Sequence, residues 1–268
     1  MKQFFLILAA FFLAALLPLN AMATSFGANI TISDENSSLN KDWYGSREDQ
    51  EVEPGMETGQ KWDLEGFFLS GTTLTMVGGF NFRDGDSGFT SGDLFIDITG
   101  DAVYGDIHSG TDGYISVLNS FGYDYVLDLT FNDPDPTKAF TYDVYAINGN
   151  TKVITANYSQ NQGSSPWRYD SGGTLIKHAS LTYTKGGEAN LLGFSGNGDH
   201  NAVSVSLDFL QLDSLTHGTN FITHFTMGCG NDNLMGTGAL PNPEPATLFL
   251  MGCGLIGLAG LGRKKFSK

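Results

Sequence analysis

The stretch Tyr123-Asp124-Tyr125-Val126-Leu127-Asp128-Leu129-Thr130-Phe131 gives the clearest indication of the fold of this chain. Large apolar side chains occupy every second position of this stretch, and mostly polar residues lie between them. Successive side chains of a β-strand point to opposite faces, whereas a helix would distribute the same apolar positions around its circumference. The stretch therefore predicts a strand with one buried face and one more polar face.

Similar short segments recur along the chain, and turn residues separate them. No window of 11 or more residues between the two termini has a convincing helical period, and the chain contains 35 glycines. Aromatic and β-branched residues, which favour strands, are concentrated in these segments. We expect nine or ten strands, at 26–32, 62–69, 72–80, 93–99, 123–131, 142–147, 151–158, 175–184, 203–210 and 221–227. This pattern predicts an all-β domain with a β-sandwich or jelly-roll architecture.

The sequence divides into five parts. Residues 1–23 form an apolar N-terminal segment, and residues 24–60 hold the first predicted strand followed by an acidic loop. Residues 61–236 contain the other predicted strands and form the β-sandwich domain. Residues 237–241 are interpreted as a linker, and residues 242–268 form a distinct C-terminal segment.

The N-terminal part has the three regions of a secretory signal peptide. Lys2 precedes an uninterrupted apolar run at 4–17, Pro18 ends that run, and Ala21-Met22-Ala23 follows. The apolar run is too short to be a preferred membrane span, and small residues at Ala21 and Ala23 fit a cleavage site. We expect export through the Sec translocon and cleavage by signal peptidase after Ala23.

The C-terminal part also has three regions in a fixed order. It begins with the rigid triplet Pro243-Glu244-Pro245, continues with an uncharged run at 246–261, and ends with Arg263-Lys264-Lys265. The prolines disfavour regular helix, so the triplet is expected to be extended and exposed. The apolar run is predicted to be a single membrane-spanning helix, and the basic cluster is expected to stop transfer and remain cytoplasmic.

This C-terminal segment closely resembles the PEP-CTERM sorting signal of Gram-negative bacteria. The triplet, the glycine-rich span and the basic end, which together cover about 27 residues, carry the resemblance. The resemblance implies processing by exosortase, a membrane protease-transpeptidase thought to cut near Pro243-Glu244-Pro245. It also implies transient anchoring in the inner membrane with the body in the periplasm, and then a place at the outer surface or in an extracellular matrix associated with polysaccharide.

The charge of the chain limits its partners. The sequence has 29 acidic and 14 basic residues, for a net charge of −15, and five of the basic residues lie in the two terminal segments. Such a body repels nucleic acid and anionic lipid. Of the two cysteines, Cys229 lies in the body and Cys253 in the predicted span, so we expect no disulfide within the chain.

A glycine-rich acidic stretch suggests a calcium site. Asp84 and Asp86 lie in the stretch 81–88, and Asp93 and Asp97 follow closely. Calcium binds six to eight oxygen atoms, which short Asp- and Gly-rich loops can supply. The alternative is that these aspartates are ordinary turn residues, because the EF-hand spacing is absent. Calcium is the one candidate cofactor that the sequence offers.

Two aromatic pairs are candidates for ligand binding. Trp43-Tyr44 and Trp167-Arg168-Tyr169 lie in segments that otherwise look solvated. Exposed aromatic rings can stack on the faces of sugars, which would suit a protein of an extracellular matrix. The alternative is that each ring folds back and closes the edge of the sandwich.

No catalytic site is predicted. Cys229 is five residues from His224 on the preceding strand, so the two side chains are expected on opposite faces. The sequence Gly193-Phe194-Ser195-Gly196-Asn197 differs from a hydrolase elbow at its last residue and precedes no helix. We therefore expect a non-enzymatic protein, with a calcium-stabilised adhesin or surface-binding module and a secreted polysaccharide hydrolase as the alternatives.

Overall fold

A computed structural model of the protein describes residues 26–32, 52, 56–102, 113–131, 140–157, 164–186, 200–211 and 220–241. Two short 3-10 turns, Gln60–Trp62 and Asp208–Gln211, accompany the strands. The strands, in chain order, are β1 (Ala28–Asn29), β2 (Gly66–Ser70), β3 (Thr73–Gly78), β4 (Leu94–Asp97), β5 (Ser116–Leu118), β6 (Tyr125–Thr130), β7 (Thr141–Ala146), β8 (Lys152–Ile154), β9 (Arg168–Ser171), β10 (Thr174–Ser180), β11 (Thr182–Thr184), β12 (Asn201–Ser206), β13 (Asn220–Thr226) and β14 (Asn233–Ala239).

The described strands form three antiparallel sheets. The five-stranded sheet has the order β1-β2-β3-β12-β11, and the six-stranded sheet has the order β10-β7-β6-β4-β13-β14. The third sheet, which we call the small sheet, has the order β5-β8-β9. The all-β class predicted from the sequence is confirmed, and the two larger sheets pack face to face as a sandwich.

The main hydrophobic core lies between the two larger sheets. Phe67, Met76 and Val203 come from the five-stranded sheet, and Leu127 and Phe225 come from the six-stranded sheet. All five side chains are almost fully buried. Two sheets with one apolar face each bury those faces against each other, which explains the alternating pattern of the sequence.

The strand predicted at 123–131 is shorter than expected. Strand β6 buries Leu127 and Leu129 in the main core, as expected, but it begins only at Tyr125. Tyr123 was predicted on the same face, yet it packs against Phe95 in a second core on the other side of the sheet. The chain turns just before this point, where Gly122 has a φ of 85°. The alternation therefore begins at Tyr125 and does not include Tyr123 and Asp124.

A second core lies between the six-stranded sheet and the small sheet. Phe95, Val126 and Val153 are fully buried there, together with Phe121. Strand β4 is consequently buried on both faces, since Leu94 and Ile96 point into the main core. A central strand of this kind appears in the sequence as a continuous apolar run. The small sheet was not expected from the sequence.

The N-terminal strand joins the two larger sheets along one edge. The backbone N–H of Ile30 donates to Phe67 O in the five-stranded sheet, at 2.9 Å. The N–H of Thr237 in the six-stranded sheet donates to Ile30 O, also at 2.9 Å, and the N–H of Ile32 donates to Met235 O at 2.8 Å. The segment predicted as a strand at 26–32 therefore closes the edge between β2 and β14.

The segment predicted as a linker at 237–241 belongs largely to strand β14. This strand pairs with β13 up to Ala239, opposite Asn220, and Leu240 is buried in the main core. The one glycine of this segment has a packing role in the strand. A Cβ added at Gly238 would lie 2.8 Å from Phe221 Cζ, so the small residue leaves space for a ring.

A close backbone approach at Gly79 provides a test of the fold. A Cβ at this position would lie 1.6 Å from Gln60 O, and the N–H of Gly79 donates to Asp63 O at 2.8 Å. We expect Gly79→Ala to lower the free energy of unfolding by about 1–3 kcal/mol or more, because backbone atoms must move. Urea unfolding measures this change. Gly149→Ala is the matched control, since the nearest atom to its Cβ would be 3.9 Å away, and equal losses in the two variants would contradict the packing described here.

Candidate functional site

The candidate site lies on the outer face of the six-stranded sheet, which is the face that points away from the five-stranded sheet. The small sheet covers this face over β4 and part of β6, where Phe95 and Val126 are buried. Over β7 and β10 the same face is more open, and Leu175 and His178 are exposed. The boundary between the covered and open parts collects polar and aromatic side chains from four strands.

A charged row crosses these strands, made of Arg168, Asp128, Asp143 and His178. Asp128 on β6 is paired directly opposite Asp143 on β7, and Asp143 is paired opposite His178 on β10. Arg168 Nη2 on β9 lies 3.7 Å from Asp128 Oδ1, and His178 Nδ1 lies 2.5 Å from Asp143 Oδ1. The row therefore has a cationic or imidazole group at each end and two adjacent carboxyl groups at its centre.

The centre of the row is electrostatically strained. Partial burial raises the pKa of Asp128, nearby Arg168 lowers it, and the charge of Asp143 raises it. Like charges directly opposite each other in a sheet are destabilising. The two carboxyl groups are 29% and 35% exposed, and Arg168 and His178 each lie beside one of them, so solvent and these two side chains reduce the repulsion.

Asp93 lies beneath one end of the row and is completely buried. Its Oδ1 accepts the N–H of Leu129 at 2.9 Å, and its Oδ2 accepts the N–H of Tyr169 at 2.8 Å. Arg168 Nε is 3.8 Å from Oδ2. Burial raises the pKa of Asp93 to about 7, while Arg168 and the two backbone N–H groups lower it and Asp128 raises it. This carboxyl group is a structural link between the six-stranded sheet and the small sheet.

A pair of stacked tyrosines borders the row. The rings of Tyr145 and Tyr169 have centroids 4.5 Å apart and an interplanar angle of 16°. Tyr145 lies two residues from Asp143 on the same face of β7. Its pKa is raised first by burial and then by the charges of Asp143 and Asp128. Tyr169 OH donates to Gly172 O, so its ring is held in place. The candidate residue Tyr169 is therefore part of the site.

The other predicted aromatic residues are not brought into this site. Trp167 was expected to be exposed, but it is only 8% exposed and its ring packs against Tyr114, with centroids 4.5 Å apart. Trp167 therefore follows the alternative prediction, in which the ring folds back against the protein. The next side chain, Arg168, points to the charged row instead. Trp43 and Tyr44 lie outside the described residues.

The four candidate calcium ligands are dispersed. Asp84 is paired with Arg83 and Asp86 with Lys61 at 2.8 Å, and these partners lower the pKa of both carboxyl groups. Asp93 accepts the two backbone N–H groups described above. The fourth residue, Asp97, accepts the N–H groups of the loop that follows it, those of Thr99, Gly100 and Ala102. Within the described ranges, no group of three or more His, Cys, Asp or Glu residues could hold a metal ion.

The geometry around Cys229 is that of a structural thiol. Cys229 is buried in the main core, and burial raises its pKa to about 11. His224 is also buried, but its Nε2 lies 2.9 Å from Pro166 O and its ring stacks on Tyr123 in the second core. Burial lowers the pKa of His224 to about 4. The two residues thus belong to different cores.

Several residues singled out in the sequence lie outside the described residues. They are the predicted sorting and membrane-stop residues Pro243, Glu244, Pro245, Arg263, Lys264 and Lys265, the predicted signal-cleavage residues Ala21 and Ala23, and the segment 193–197. Among the residues that are described, no helix is long and apolar enough to cross a membrane. No family model, curated protein or solved structure matches this chain.

Calcium dependence can be tested directly. Because the candidate aspartates are already paired with basic side chains or backbone N–H groups, we expect the full chain to melt within about 1 °C in millimolar calcium and in excess EDTA, at matched ionic strength. Thermal unfolding measures this. A drop of several degrees in EDTA that disappears in Asp84→Asn/Asp86→Asn, but not in the matched pair Asp101→Asn/Asp170→Asn, would restore the calcium hypothesis.

The buried carboxyl group of Asp93 predicts a pH dependence. Its pKa is about 7 in the folded protein against an ordinary 3.8, so the folded chain binds this proton more tightly than the unfolded chain. The resulting stabilisation is fully present below the ordinary pKa and is lost as the pH rises through about 7. The free energy of unfolding of the wild type, relative to Asp93→Asn, should therefore fall between about pH 4 and pH 7.

Urea unfolding at intervals of pH measures this difference. Asp101→Asn is the matched control, since it removes an exposed carboxyl group that accepts a bond from Thr99 Oγ1. Comparison of the two variants separates the effect of Asp93 from that of removing any one carboxyl group. Parallel profiles for the wild type and Asp93→Asn would show that Asp93 does not hold its proton as described.

Proposed function

We propose that this chain is an exported, exosortase-processed protein of the cell surface or extracellular matrix, and that its body has a non-enzymatic, polysaccharide-associated role. The observation that carries the proposal is the three-part segment 242–268, with its Pro-Glu-Pro triplet, apolar run and basic end. The signal peptide at the other terminus agrees with the same topology. A chain with these two segments presents its body outside the inner membrane until exosortase acts.

The position of the last strand is consistent with processing near the triplet. Strand β14 ends at Ala239, Leu240 is buried, and Pro241 is exposed. A cut near Pro243-Glu244-Pro245 would therefore leave every described strand intact. The body would keep its main core and its edge-closing N-terminal strand after the tail is removed.

The outer face supports the association with polysaccharide. Sugars are recognised by planar polar side chains that bond to hydroxyl groups and by aromatic rings that stack on the sugar. The charged row supplies carboxyl, guanidinium and imidazole groups, and Tyr145 and Tyr169 lie beside it. These groups project from paired strands, which hold them more rigidly than a loop would.

A secreted polysaccharide hydrolase is the second candidate, and one observation favours it. Asp128 and Asp143 are opposed carboxyl groups, and the raised pKa of Asp128 is a property of a general acid. The pair lies on a partly solvated sheet face, however, and glycoside chemistry benefits from a site that excludes water. Incubation with polysaccharides followed by a reducing-end assay separates the candidates, because turnover abolished by Asp128→Asn would support the hydrolase.

Processing gives the test of the main proposal. Intact-mass measurement on protein recovered from the cell surface or medium should show a C-terminus close to Pro243-Glu244-Pro245, with 246–268 removed. Replacement of the three triplet residues by alanine should keep the full-length chain in the membrane fraction, because exosortase is expected to recognise the triplet.

Pro241→Ala is the matched control, since it changes an exposed proline just outside the triplet. It should be processed like the wild type. Surface material that still ends at Lys268 would contradict the proposal, and so would normal release of the triplet variant.

A further inference from the structure

The N-terminal strand, residues 26–32, fills the gap between β2 and β14, which we call the seam. On the five-stranded side it pairs with β2, and the N–H of Ile30 donates to Phe67 O at 2.9 Å. On the six-stranded side, the N–H of Thr237 donates to Ile30 O at 2.9 Å. Without this strand, the edges of both sheets would present unpaired backbone groups to solvent. The seam therefore requires a strand to fill it.

Side chains contribute little to holding the N-terminal strand in the seam. None of residues 26–32 is buried, and Gly27, Ala28 and Asn29 are exposed. Ile30 packs against the main core and Phe26 against a smaller cluster, and both rings or chains remain partly exposed. A segment with few buried apolar contacts opens at a lower free energy than the strands that form the core. The strand can therefore leave the seam while the rest of the body stays folded.

The seam nevertheless fits the sequence of this strand at two positions. Gly27 has a φ of 99°, and a Cβ there would lie 2.1 Å from Leu69 O, so both the backbone conformation and the space exclude a side chain. The N–H of Phe67 donates to Thr31 Oγ1 at 2.9 Å, and a Cβ at Gly66 would lie 2.7 Å from the same oxygen. A strand of another sequence would lose these fits. The sequence that suits the seam is therefore that of residues 26–32, from the same chain or from a second copy.

The connection that follows the N-terminal strand is long enough for a second copy to supply it. The next described residue after Ile32 is Val52, which packs against the main core. The chain between these two residues can span at most about 65–70 Å. A folded body of this size is roughly 45 Å across, since its expected radius of gyration is about 17 Å. The strand of one chain can thus reach the seam of a neighbouring chain.

We infer that the seam between β2 and β14 accepts the N-terminal strand of a second copy, so that chains associate by exchanging this strand. The exchanged strand makes the same bonds as the chain's own strand, so the two states differ mainly in the entropy of bringing chains together. A connection of this length keeps the chain's own strand at an effective concentration on the order of millimolar. Exchange is therefore favoured where chains are crowded to about that concentration. The inference goes beyond the proposed function and does not rest on it, because all of its contacts lie within the body.

Two cysteine variants of the full chain, purified in mild detergent, detect the exchange. One carries Ala28→Cys and the other Leu69→Cys, at positions directly opposite each other in the pairing with β2. Each chain carries one of the two changes, so a disulfide between positions 28 and 69 can form only between chains. The variants are mixed at increasing concentrations, oxidised and digested, and mass spectrometry measures the yield of this disulfide. We expect the yield to rise with concentration.

Thr73→Cys mixed with Ser206→Cys is the matched control. These positions are directly opposite each other in β3 and β12, and one is exposed and the other partly exposed, as in the test pair. Both strands belong to the body, so neither is expected to leave it. We expect at least about tenfold more of the disulfide between positions 28 and 69 than of the one between positions 73 and 206.

A proline in the N-terminal strand separates strand exchange from random collision. Ile30→Pro, added to the Ala28→Cys chain, removes the N–H that donates to Phe67 O. It should lower the yield of the disulfide on the order of tenfold, because proline cannot donate that bond. Melting temperatures of all variants, measured in parallel, show whether their bodies are equally folded.

Two results would overturn the inference. If the disulfide between positions 28 and 69 is no more abundant than the control disulfide at any concentration, a second copy does not occupy the seam. If Ile30→Pro leaves the yield unchanged, the disulfide reports collisions in solution and not a strand bonded in the seam. Neither result bears on export, on exosortase processing or on the association with polysaccharide.

Discussion

The buried carboxyl group of Asp93 holds together the two sheets that create the outer-face site. Its oxygens accept N–H groups from Leu129 in the six-stranded sheet and Tyr169 in the small sheet, and its own N–H donates to Trp167 O. Residues 167 and 169 are therefore both bonded to residue 93. Arg168, which lies between them, is held where its guanidinium reaches Asp128. A buried charged group normally opposes folding, and here backbone donors and a nearby guanidinium partly offset that cost.

The small sheet also determines where the outer face is apolar and where it is polar. Under the small sheet, Phe95, Val126 and His224 form a second core with Tyr123. Beyond its edge strand β9, the same strands of the six-stranded sheet carry carboxyl, imidazole and hydroxyl groups. A larger small sheet would bury these polar groups without hydrogen-bonding partners, whereas a still smaller sheet would expose the apolar side chains of the second core. The boundary at β9 follows from both constraints.

The sequence predicts the strands of this fold better than it predicts their arrangement. Alternation at 123–131 indicates a buried face at Leu127 and Leu129, because period-two patterning depends only on which side of one strand faces the core. The small sheet cannot be recognised in this way, since β5, β8 and β9 are three or four residues long. Strand pairing between distant segments also leaves no local signal: β8 follows β7 in the chain but pairs with β5 and β9.

The candidate site could not be predicted from the sequence either, because its residues come from strands that are distant in the chain. Asp128 and Asp143 appear in the sequence as ordinary polar positions of alternating strands, and only the register of β6 against β7 makes them neighbours. The aspartates that looked like a site, Asp84 and Asp86, are paired with basic residues on the surface. Tyr169 was found as an exposed aromatic residue, but its partner Tyr145 lies 24 positions earlier and was read simply as part of a strand. Clustering in sequence was thus a poor guide to clustering in space.

The free-energy cost of placing Asp128 opposite Asp143 bears on the possible roles of the body. A body that served only as a structural spacer would gain stability if one of the two aspartates were replaced by threonine, which is what the next pair along the same strands already has, at Thr130 and Thr141. Cross-strand threonine pairs are favourable, and opposed like charges are not. Local arrangements that oppose folding are concentrated at functional sites, where binding offsets their cost. The contrast between these two adjacent pairs therefore marks Asp128 and Asp143 as the position on these strands where the sequence departs from what sheet stability alone would favour.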